Sequence, residues 1–420
     1  MFLFERKKEI LFLFLACFVI FLLNFSYKYY EFYKFKKSEF YELNASLEKS
    51  EKKLSKKGKS YYLNLFKSDE FSVFLYSKKE IEKGFYALKI STKNVKFKQF
   101  LKGQIFSSFK GLKKLQKPQN LASILSQKIT AQHENTLLKE LFSTLYLATP
   151  ISRELRYMVT NWGIAHLIAI SGFHLGLLFS IFYLLFKKPY EFFQSRFFPF
   201  RNRDFDLSVI ILSLAGFYLY LLDFAPSFLR SYIMAVFGFF ILTRGLKLFN
   251  YGNLIICALF AISVNISLLF NIGFYFSCLG VFFILVYIHH FGEKSDLKSK
   301  TKMLFHAVFF EIFVFCAMNI PVYFFFNQAS LFQMSVIPLG YAFVVFYPLS
   351  IFLHLLGFGG VFDEHLLSFL NFASKQGEIF VPLWLFVAFN LSLYFCAKYK
   401  KFAIFLAIFS FLYYIYFFIF

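Results

Sequence analysis

The chain has 420 residues, of which 58% are hydrophobic and only 17% are charged. Globular chains average about a quarter charged residues, and long apolar stretches are typical of membrane spans. The composition therefore excludes a soluble enzyme, a disordered chain and a small disulfide-stapled secreted module. Lysine and arginine number 46 against 24 acidic residues, a formal net charge of +22, so the sequence predicts a polytopic membrane protein with strongly basic regions.

The first apolar run predicts a transmembrane anchor over residues 1–25. The run is longer than a usual signal-peptide core, and no small-residue cleavage site follows it, so we expect an uncleaved span. Arg6, Lys7 and Lys8 precede the run and place its N-terminus in the cytoplasm under the positive-inside rule.

Residues 26–104 predict a small β domain outside the membrane. Short runs rich in aromatic and branched residues, at 60–66, 71–76 and 85–90, are separated by turn residues. Several short strands in one stretch are typical of a small barrel such as the oligonucleotide-binding (OB) fold. Residues 26–140 hold no spanning segment and carry 25 lysines against 11 acidic residues, +14 of the net +22, and long domains cross membranes regardless of charge. We therefore expect residues 26–140 to be periplasmic.

Lysines and aromatic residues interleave near the end of this domain. Lys96, Phe97, Lys98 and Phe100, together with Lys89, are candidates for contacting a phosphate backbone and stacked bases of single-stranded DNA. The alternative is a solvated strand face in a lysine-rich protein, and the sequence leaves both interpretations open.

The rest of the chain reads as helical. Residues 105–160 have leucine and isoleucine near helical spacing and predict amphipathic helices on the outer membrane surface. Residues 161–420 predict a helical channel domain. Its apolar segments lie near 162–186, 207–222, 225–243, 252–270, 272–290, 303–326, 331–356, 379–397 and 402–420. With the anchor, the fold class is a polytopic α-helical membrane protein of about 9–11 membrane segments with an N-terminal periplasmic OB-like β domain.

The charges between these segments predict their orientation. Basic connections near 187–203, 244–247 and 294–302 alternate with connections that carry no positive charge, so the basic ones are expected in the cytoplasm. The alternation fails at 331–356, because the lysines at 398–401 should also be cytoplasmic. We therefore expect 331–356 either to be re-entrant, entering and leaving on the outer side, or to break into two half-helices. Such irregular backbone is tolerated where protein or a water-filled cavity covers it.

Residues 162–178 read WGIAHLIAISGFHLGLL and hold polar side chains that are costly within a span. On a continuous helix, His166 and His174 would lie about 80° apart on one face. Ser171 and Gly172 would interrupt that face, as a kink or a close helix contact does. The two histidines would be separated by about 12 Å of helical rise, which is too far for one metal ion, so no metal site is expected.

The stretch HLIAISGFHLG, which includes His166, Ser171, Gly172, His174 and Gly176, strongly resembles the signature of ComEC-type competence proteins. These are bacterial inner-membrane channels for DNA uptake. The match extends over ten or so nearly continuous positions.

Two further stretches resemble elements of the same family. Residues 225–234 contain Pro226 and Arg230, and Ser231 replaces the customary alanine there. Residues 271–277 contain Gly273 and Ser277. The resemblance covers roughly residues 40–350 and is strongest at 150–280.

The resemblance implies a channel that imports single-stranded transforming DNA across the bacterial inner membrane, with these residues along the DNA path. The expected partners are single-stranded DNA, the lipid bilayer, a periplasmic DNA receptor, and a cytoplasmic ATP-driven motor or single-strand-binding proteins. Many relatives continue into a metallo-β-lactamase-like domain, whose HxHxDH motif does not occur here, and no Walker A sequence occurs either. We therefore expect no enzymatic activity, catalytic residue or cofactor, with nuclease and motor functions supplied by partners.

Two other functions stay open. A transporter of another anionic solute or lipid would have inverted repeats between its halves, and none is evident in the sequence. An intramembrane hydrolase would use His166, His174 and Ser171 with a carboxylate from Asp223 or Glu311. Arg230 itself is expected either to contact phosphate or to pair with Asp223, and the sequence does not define the oligomeric state.

Overall fold

The computed structural model describes residues 7–54, 60–68, 71–82, 84–115, 121–243, 250–292, 299–372 and 376–419. The chain divides into two compact units. The first comprises Met1–Asn120 with Ile255–Phe274, and the second comprises Leu121–Leu254 with Tyr275–Phe420.

The first unit begins with a long helix, α1 (Lys7–Lys37). The predicted domain boundary at residue 25 lies inside this helix. The helix continues beyond it because its apolar residues there pack against the β domain. Phe35 is buried in the core of the β domain, and Phe32 packs against that core. The anchor and the β domain therefore share one continuous element.

Six strands and one short helix complete the domain. They are β1 (Phe40–Leu54), β2 (Ser60–Lys67), β3 (Ser72–Ser77), β4 (Phe85–Ser91), α2 (Phe97–Leu101), β5 (Gln104–Ser107) and β6 (Phe109–Leu115). The strands predicted at 60–66, 71–76 and 85–90 are confirmed. The helical prediction for 105–115 is wrong, because these residues complete the sheet instead of forming an amphipathic helix.

The strands form one curled sheet in the order β5-β3-β2-β1-β4-β6. The long strand β1 pairs with β4 along its first half and with β2 along its second half, and a bulge between Leu47 and Lys49 marks an irregularity in the β1–β2 register. At one edge β5 runs parallel to β3, and at the other edge β6 runs antiparallel to β4. Since only Ser108 separates β5 from β6, a single chain segment pairs with both edges.

Alternation along the strands explains the core of the curled sheet. Inward positions on β1, β3 and β4 are buried hydrophobic residues, and the residues between them face outward. Val73, Leu75, Leu88, Ile90 and Ile105 are fully or almost fully buried. Ile105 thus belongs to the interior of the sheet, which is what fixes β5 in place.

The second unit is helical. Three short helices come first, α3 (Leu121–Thr130), α4 (Thr136–Leu147) and α5 (Arg153–Asn161), followed by a single turn, α6 (Ala165–Ile168). Apolar helices follow, α7 (Gly172–Phe197), α8 (Arg203–Leu221), α9 (Pro226–Thr243), α10 (Tyr251–Val264), α11 (Ile272–Phe291), α12 (Lys300–Phe325) and α13 (Val336–Leu355). The last three are α14 (Asp363–Asn371), α15 (Leu383–Lys398) and α16 (Lys400–Ile419). Helices α10 and α11 each cross the boundary between the two units.

The apolar segments predicted from the sequence coincide with helices, with two exceptions. The first segment begins at Gly172 and not at 162. The segment predicted at 252–270 is α10 only as far as Val264 and ends in a 3-10 turn, Ile266–Phe270. Four segments are long and apolar enough to cross a membrane, Arg203–Leu221, Ile272–Phe291, Lys300–Phe325 and Leu331–Leu355. The protein is therefore mostly helical, with four candidate membrane spans among the described residues and a curled N-terminal sheet.

Around residues 331–375 the chain leaves one place in the fold and returns to it. A two-stranded ribbon, β7 (Gln328–Ser330) with β8 (Gln376–Glu378), pairs its two ends. One continuous helix, α13, leads away from the ribbon after a 3-10 turn, so the alternative prediction of two half-helices is wrong. Helix α14 returns toward the start, since Phe372 contacts Phe332. We call residues 331–372 the hairpin.

Candidate functional site

The signature segment folds as a broken helix. After α6, residues 169–171 are not helical, and α7 begins at Gly172 with Ser171 as its N-cap. The Ser171 hydroxyl oxygen accepts a hydrogen bond from the Phe173 amide (3.3 Å), and His174 Nδ1 accepts one from the Ser171 amide (3.2 Å). This reciprocal arrangement satisfies backbone donors that a helix start leaves unpaired. The expectation of one continuous helix is therefore wrong, and His166 and His174 do not share a helix face.

His174 is an integral part of the protein interior. Its side chain is fully buried, and its ring meets those of Tyr347 (4.8 Å between centroids) and Phe343 (5.4 Å) edge to face. Because Nδ1 accepts a hydrogen bond, the neutral ring carries its proton on Nε2. Within the described part of the chain, Nε2 has no hydrogen-bond partner. His174 thus joins the start of α7 to helix α13.

Two glycines of this region allow close approach of other elements. Gly163 has a positive φ of 70°, and a Cβ there would lie 2.8 Å from the Gln333 carbonyl oxygen. A Cβ on Gly172 would lie 3.1 Å from the Ser231 hydroxyl oxygen. Gly176 differs, because no atom lies within 4 Å of its Cβ position. The predicted close helix contact therefore occurs at Gly172, against helix α9.

The backbone around the helix break is open. Ala169, Gly172 and Phe173 are exposed, and so is His166, whereas the neighbouring residues Leu167, Ile168 and Ile170 are buried. Of the two histidines in the signature, His166 is the one that the rest of the chain leaves exposed.

The second motif lies at the start of α9. A tight turn leads into it, with Asp223 (φ 53°) and Phe224 (φ 51°) both in the left-handed region, and Pro226 opens the helix. Arg230 is buried, at 8% exposure, and is near enough to Cys278 for an electrostatic interaction, whereas Asp223 is exposed. Arg244, which belongs to the basic connection predicted near 244–247, lies outside the described residues.

The third motif forms the start of α11. Gly273 lies in its first turn, and the Asn271 side chain accepts a hydrogen bond from the Phe274 amide (3.1 Å). Ser277, one turn further along, is half-buried.

In the first unit, the two candidate phenylalanines are engaged by α1. The Phe97 ring packs on Phe25, Tyr29 and Phe32, at centroid distances of 5.3–5.6 Å. Phe100 packs on Phe32, Phe35 and Phe71. These contacts occupy ring surfaces that base stacking would need. Lys96 and Lys98 are exposed on the short helix α2 and its cap.

Lys89 belongs instead to a groove across the outward face of strands β1, β4 and β6. The lining residues are Glu42, Leu43, Asn44, Ala87, Leu88, Lys89, Gly111, Leu112 and Lys113. Small residues lie in register at its floor, since Asn44 pairs with Ala87 and Lys89 with Gly111. We call this set the outward groove.

The two lysines of the outward groove differ in pairing. Lys89 Nζ donates to Glu42 (2.7 Å), and this hydrogen bond, together with the lysine charge, lowers the pKa of Glu42 below its usual value. Lys113 is exposed and has no ion-pair partner within the described chain. Lys113 is therefore the freer cation for an anionic ligand.

The structure also brings together polar residues that the sequence analysis did not single out. His133, between α3 and α4, lies between Asp363 at the start of α14 and His354 near the end of α13. The two histidines are 221 positions apart in sequence, so no local spacing indicates the contact. The available signal was Ser350 with His354, two polar residues one turn apart in an apolar helix. No group of three or more histidine, cysteine or acidic residues suited to a metal ion occurs among the described residues.

Comparison with known proteins gives one match. No curated protein and no solved structure is similar enough to match the chain. The family model described as "Competence protein" matches residues 148–420, which include the broken signature helix, both further motifs and the hairpin. Since this match covers well over half of the chain, the protein belongs to the competence protein family of the ComEC type, whose members act in DNA uptake.

Proposed function

We propose that this protein is the channel through which single-stranded transforming DNA crosses the bacterial inner membrane. The observation that carries the proposal is the family match over residues 148–420. A polyanion crossing about 30 Å of hydrocarbon needs a closed, wet path whose polar groups bind it weakly. We propose that a single strand of DNA is imported.

The helix break in the signature supports a wet path. In hydrocarbon, each backbone polar group must be bonded within the protein, so irregular backbone occurs only where protein or water covers it. Residues 169–171 interrupt the helix, and the exposed backbone at Ala169 and Gly172 lies beside this break. Water beside the break would satisfy these groups, and His166, Ser171, Gly172 and Gly176 would then border the path.

The other candidates take supporting positions in this proposal. Buried His174 and the Gly172 contact with Ser231 hold the break against α13 and α9. Arg230 is buried beside Cys278, so we assign it to the wall of the path and not to its surface. Pro226, Gly273 and Ser277 mark the starts of the neighbouring helices α9 and α11.

The β domain fits the proposal as an OB-like module in the periplasm. In this interpretation β5 and β6 act as a single bent strand that pairs in parallel with β3 and antiparallel with β4. Together with the β1–β2 and β1–β4 pairs, this reproduces the connectivity of a five-stranded OB barrel. The helix α2 lies between β4 and β5, which departs from the usual position between the third and fourth strands.

The outward groove is the proposed DNA-contacting surface of this module. Lys113 and Lys89 supply phosphate contacts, and the small residues at the floor let a backbone approach the sheet. Phe97 and Phe100 serve packing against α1 in this proposal.

The ribbon supports the proposed orientation of the hairpin. Charge alternation requires residues on either side of 331–375 to be on the outer side of the membrane. Pairing of Gln328 with Glu378 brings the two ends of the hairpin together, as a re-entrant segment needs. The N-terminus is then cytoplasmic and the β domain periplasmic. A periplasmic receptor would deliver DNA, and a cytoplasmic motor or single-strand-binding protein would draw it in.

One contact bears on the hydrolase alternative. Ser171 Oγ lies 3.4 Å from His174 Nδ1, but both atoms cap the start of α7. A serine that accepts a backbone hydrogen bond next to a histidine whose Nδ1 is already occupied lacks a free base. The arrangement favours a structural role for the pair.

The test is transformation of a strain from which this gene is deleted, with labelled duplex DNA. We expect label to accumulate outside the inner membrane, where added nuclease degrades it, and to become protected when the intact gene is restored. Normal acquisition of nuclease-protected single strands by the deletion strain would reject the channel. It would favour transport of another solute.

A further inference from the structure

A network of buried polar groups connects three segments of the second unit. His133 Nδ1 lies 2.9 Å from Asp363 Oδ1, and His133 Nε2 lies 3.0 Å from His354 Nε2. His354 Nδ1 lies 2.7 Å from the Ser350 carbonyl oxygen. The network thus joins the connection between α3 and α4 to both arms of the hairpin, near its tip.

The proton positions at His354 follow from its partners. A carbonyl oxygen only accepts, so Nδ1 of His354 must carry the proton that bonds Ser350. The neighbouring Tyr146 hydroxyl donates to the Ser350 hydroxyl (2.8 Å), which in turn donates to the Tyr347 carbonyl oxygen. A neutral His354 therefore presents a lone pair at Nε2, toward His133.

With Asp363 ionised, His133 must then donate from both of its nitrogens. Its Nε2 faces the lone pair of His354, and its Nδ1 faces the Asp363 carboxylate. A neutral imidazole has one N–H only, so in either tautomer one of the two contacts would bring two lone pairs together. One additional proton resolves the conflict.

The additional cation is a proton and not a metal ion. A separation of 3.0 Å suits an N–H···N hydrogen bond. Tetrahedral zinc with nitrogen ligands at about 2.0–2.1 Å would hold the two nitrogens roughly 3.3 Å apart and would need further protein ligands. No third metal-ligating side chain joins the two histidines within the described residues.

We propose that His133 is a buried imidazolium paired with the Asp363 carboxylate, and that this proton latches the tip of the hairpin to the α3–α4 connection. The proposal does not depend on the proposed channel function. It adds a proton-binding site to the protein and makes the attachment of the hairpin pH-dependent.

The surroundings of His133 suit a cation. Its side chain is 0% exposed, and its ring stacks on Phe142 with centroids 4.5 Å apart and planes 4° apart, as a cation over an aromatic face does. Asp363 is 20% exposed. An unpaired buried charge would be costly, so the carboxylate and the imidazolium stabilise each other's charged forms.

The other ionisable groups on the same elements point elsewhere. Glu134, Glu364 and His365 are exposed, and Glu140 accepts a hydrogen bond from the Ser152 amide. Tyr146 is the remaining titratable group in the network, and burial raises its pKa well above the usual value, so it stays neutral. The pH dependence is therefore assigned to His133, His354 and Asp363.

Uncharged contacts reinforce the latch without replacing it. The Gln132 side chain donates to the His354 carbonyl oxygen (3.0 Å) and accepts from the Gly359 amide (2.8 Å). A Cβ on Gly359 would collide with Gln132 and His354 at 2.7 Å. Loss of the proton brings lone pairs together and drives the tip away.

The first experiment reads the protonation state of the unmodified protein. The full chain, labelled with ¹⁵N at histidine, is studied in lipid nanodiscs, and His133→Gln identifies the His133 signals. We expect both His133 nitrogens to have imidazolium shifts at neutral pH. A neutral His133 in the folded protein would overturn the proposal.

The second experiment measures opening of the hairpin by the accessibility of a cysteine. Leu366, which lies one turn from Asp363 on α14 and packs against buried residues of the second unit, is replaced by cysteine in a full-length protein without native thiols, and a water-soluble maleimide is added. The labelling rate is divided by the rate in denaturing detergent at the same pH. We expect this ratio to rise about tenfold or more in Asp363→Asn, because removing one partner of a buried ion pair strongly destabilises the other. It should also rise when the pH is raised far enough for the imidazolium to lose its proton.

The matched control is His365→Gln, an exposed histidine two positions from Asp363. It should label as the parent does at each pH. Equal ratios for Asp363→Asn and the parent, or a parent ratio that does not change with pH, would reject the latch. If Asp363→Asn fails to insert, the imidazolium measurement on the unmodified protein still decides.

Discussion

Gly163→Ala tests the close packing at the entrance to the signature segment. Gly163 has a φ of 70°, and a Cβ there would lie 2.8 Å from the carbonyl oxygen and 3.0 Å from the Cα of Gln333. Both obstructing atoms are backbone, so the neighbour cannot rotate away. The left-handed conformation costs a non-glycine residue about 1–2 kcal/mol, and overpacking adds about 1–3 kcal/mol. We therefore expect a loss of about 2–5 kcal/mol in unfolding free energy.

Substitutions at two other glycines measure the conformational cost and the overpacking cost separately. Gly357 lies in the same unit as Gly163 and has a φ of 85° but no atom within 4 Å of its Cβ position, so Gly357→Ala should show the conformational cost alone, about 1–2 kcal/mol. Gly176 has neither a positive φ nor a close neighbour, and it lies within α7. Gly176→Ala should be neutral or stabilise the helix by up to about 1 kcal/mol.

Fluorescence of Trp162 provides the assay. The indole stacks on Phe369 (4.1 Å) and Phe332 (5.0 Å), beside the contact in question. In a Trp384→Phe background it is the single tryptophan, and denaturant unfolding of the detergent-purified protein then gives the change in free energy. If Gly163→Ala were as stable as Gly176→Ala, the assigned contact with Gln333 would be refuted.

Three further predictions address topology, DNA binding and the signature. In a protein without native thiols, cysteines at Ser60 and Ser299 should label from opposite sides of the membrane, and labelling of both from the periplasm would reject the orientation. Lys113→Glu should weaken binding of single-stranded DNA by the full chain in nanodiscs and lower the slope of log K against log salt concentration by about 0.7. Lys114 lies on the opposite face of β6 and pairs with Glu82, so Lys114→Glu should change DNA binding less. Equal effects of the two variants would exclude the outward groove as the DNA-contacting surface. His174→Ala should reduce membrane abundance, since it leaves the Ser171 amide without its acceptor at a cost of about 1–3 kcal/mol, whereas exposed His166→Ala should leave abundance normal and impair DNA entry. Normal abundance of His174→Ala would contradict the packing role.

The sequence predicted the strands at 60–66, 71–76 and 85–90 because residue alternation there reflects one buried face and one exposed face. It failed at 104–115, where Ile105 and Leu112 also fit helical spacing. What decides their conformation is pairing with β3 and β4, which requires strands contributed by earlier parts of the chain. Intrinsic preference is weak in such cases, and tertiary context overrides it.

The candidate site was also predictable from the sequence only in part. A serine followed three positions later by a side chain with an acceptor is a recognisable helix start, so the break at Ser171 had a signal in the sequence. Apolar residues on both sides concealed it, since hydropathy alone reads 162–178 as continuous. The contacts of His133 with Asp363 and His354 had no local signal, because three separate segments contribute them.

Charge and hydropathy answered different questions about the hairpin. Hydropathy identifies α13 as long and apolar enough to span a membrane, but it does not say where the chain goes afterwards. The positive-inside rule predicts that residues 328 and 378 lie on one side of the bilayer, and the ribbon brings these two residues into register. With one end closed by backbone hydrogen bonds and the tip held by the His133 network, the hairpin has a fixed base and a pH-sensitive tip. An opening of the hairpin would therefore begin at the tip, where the network depends on one proton, and not at the ribbon, where several backbone bonds would have to break together.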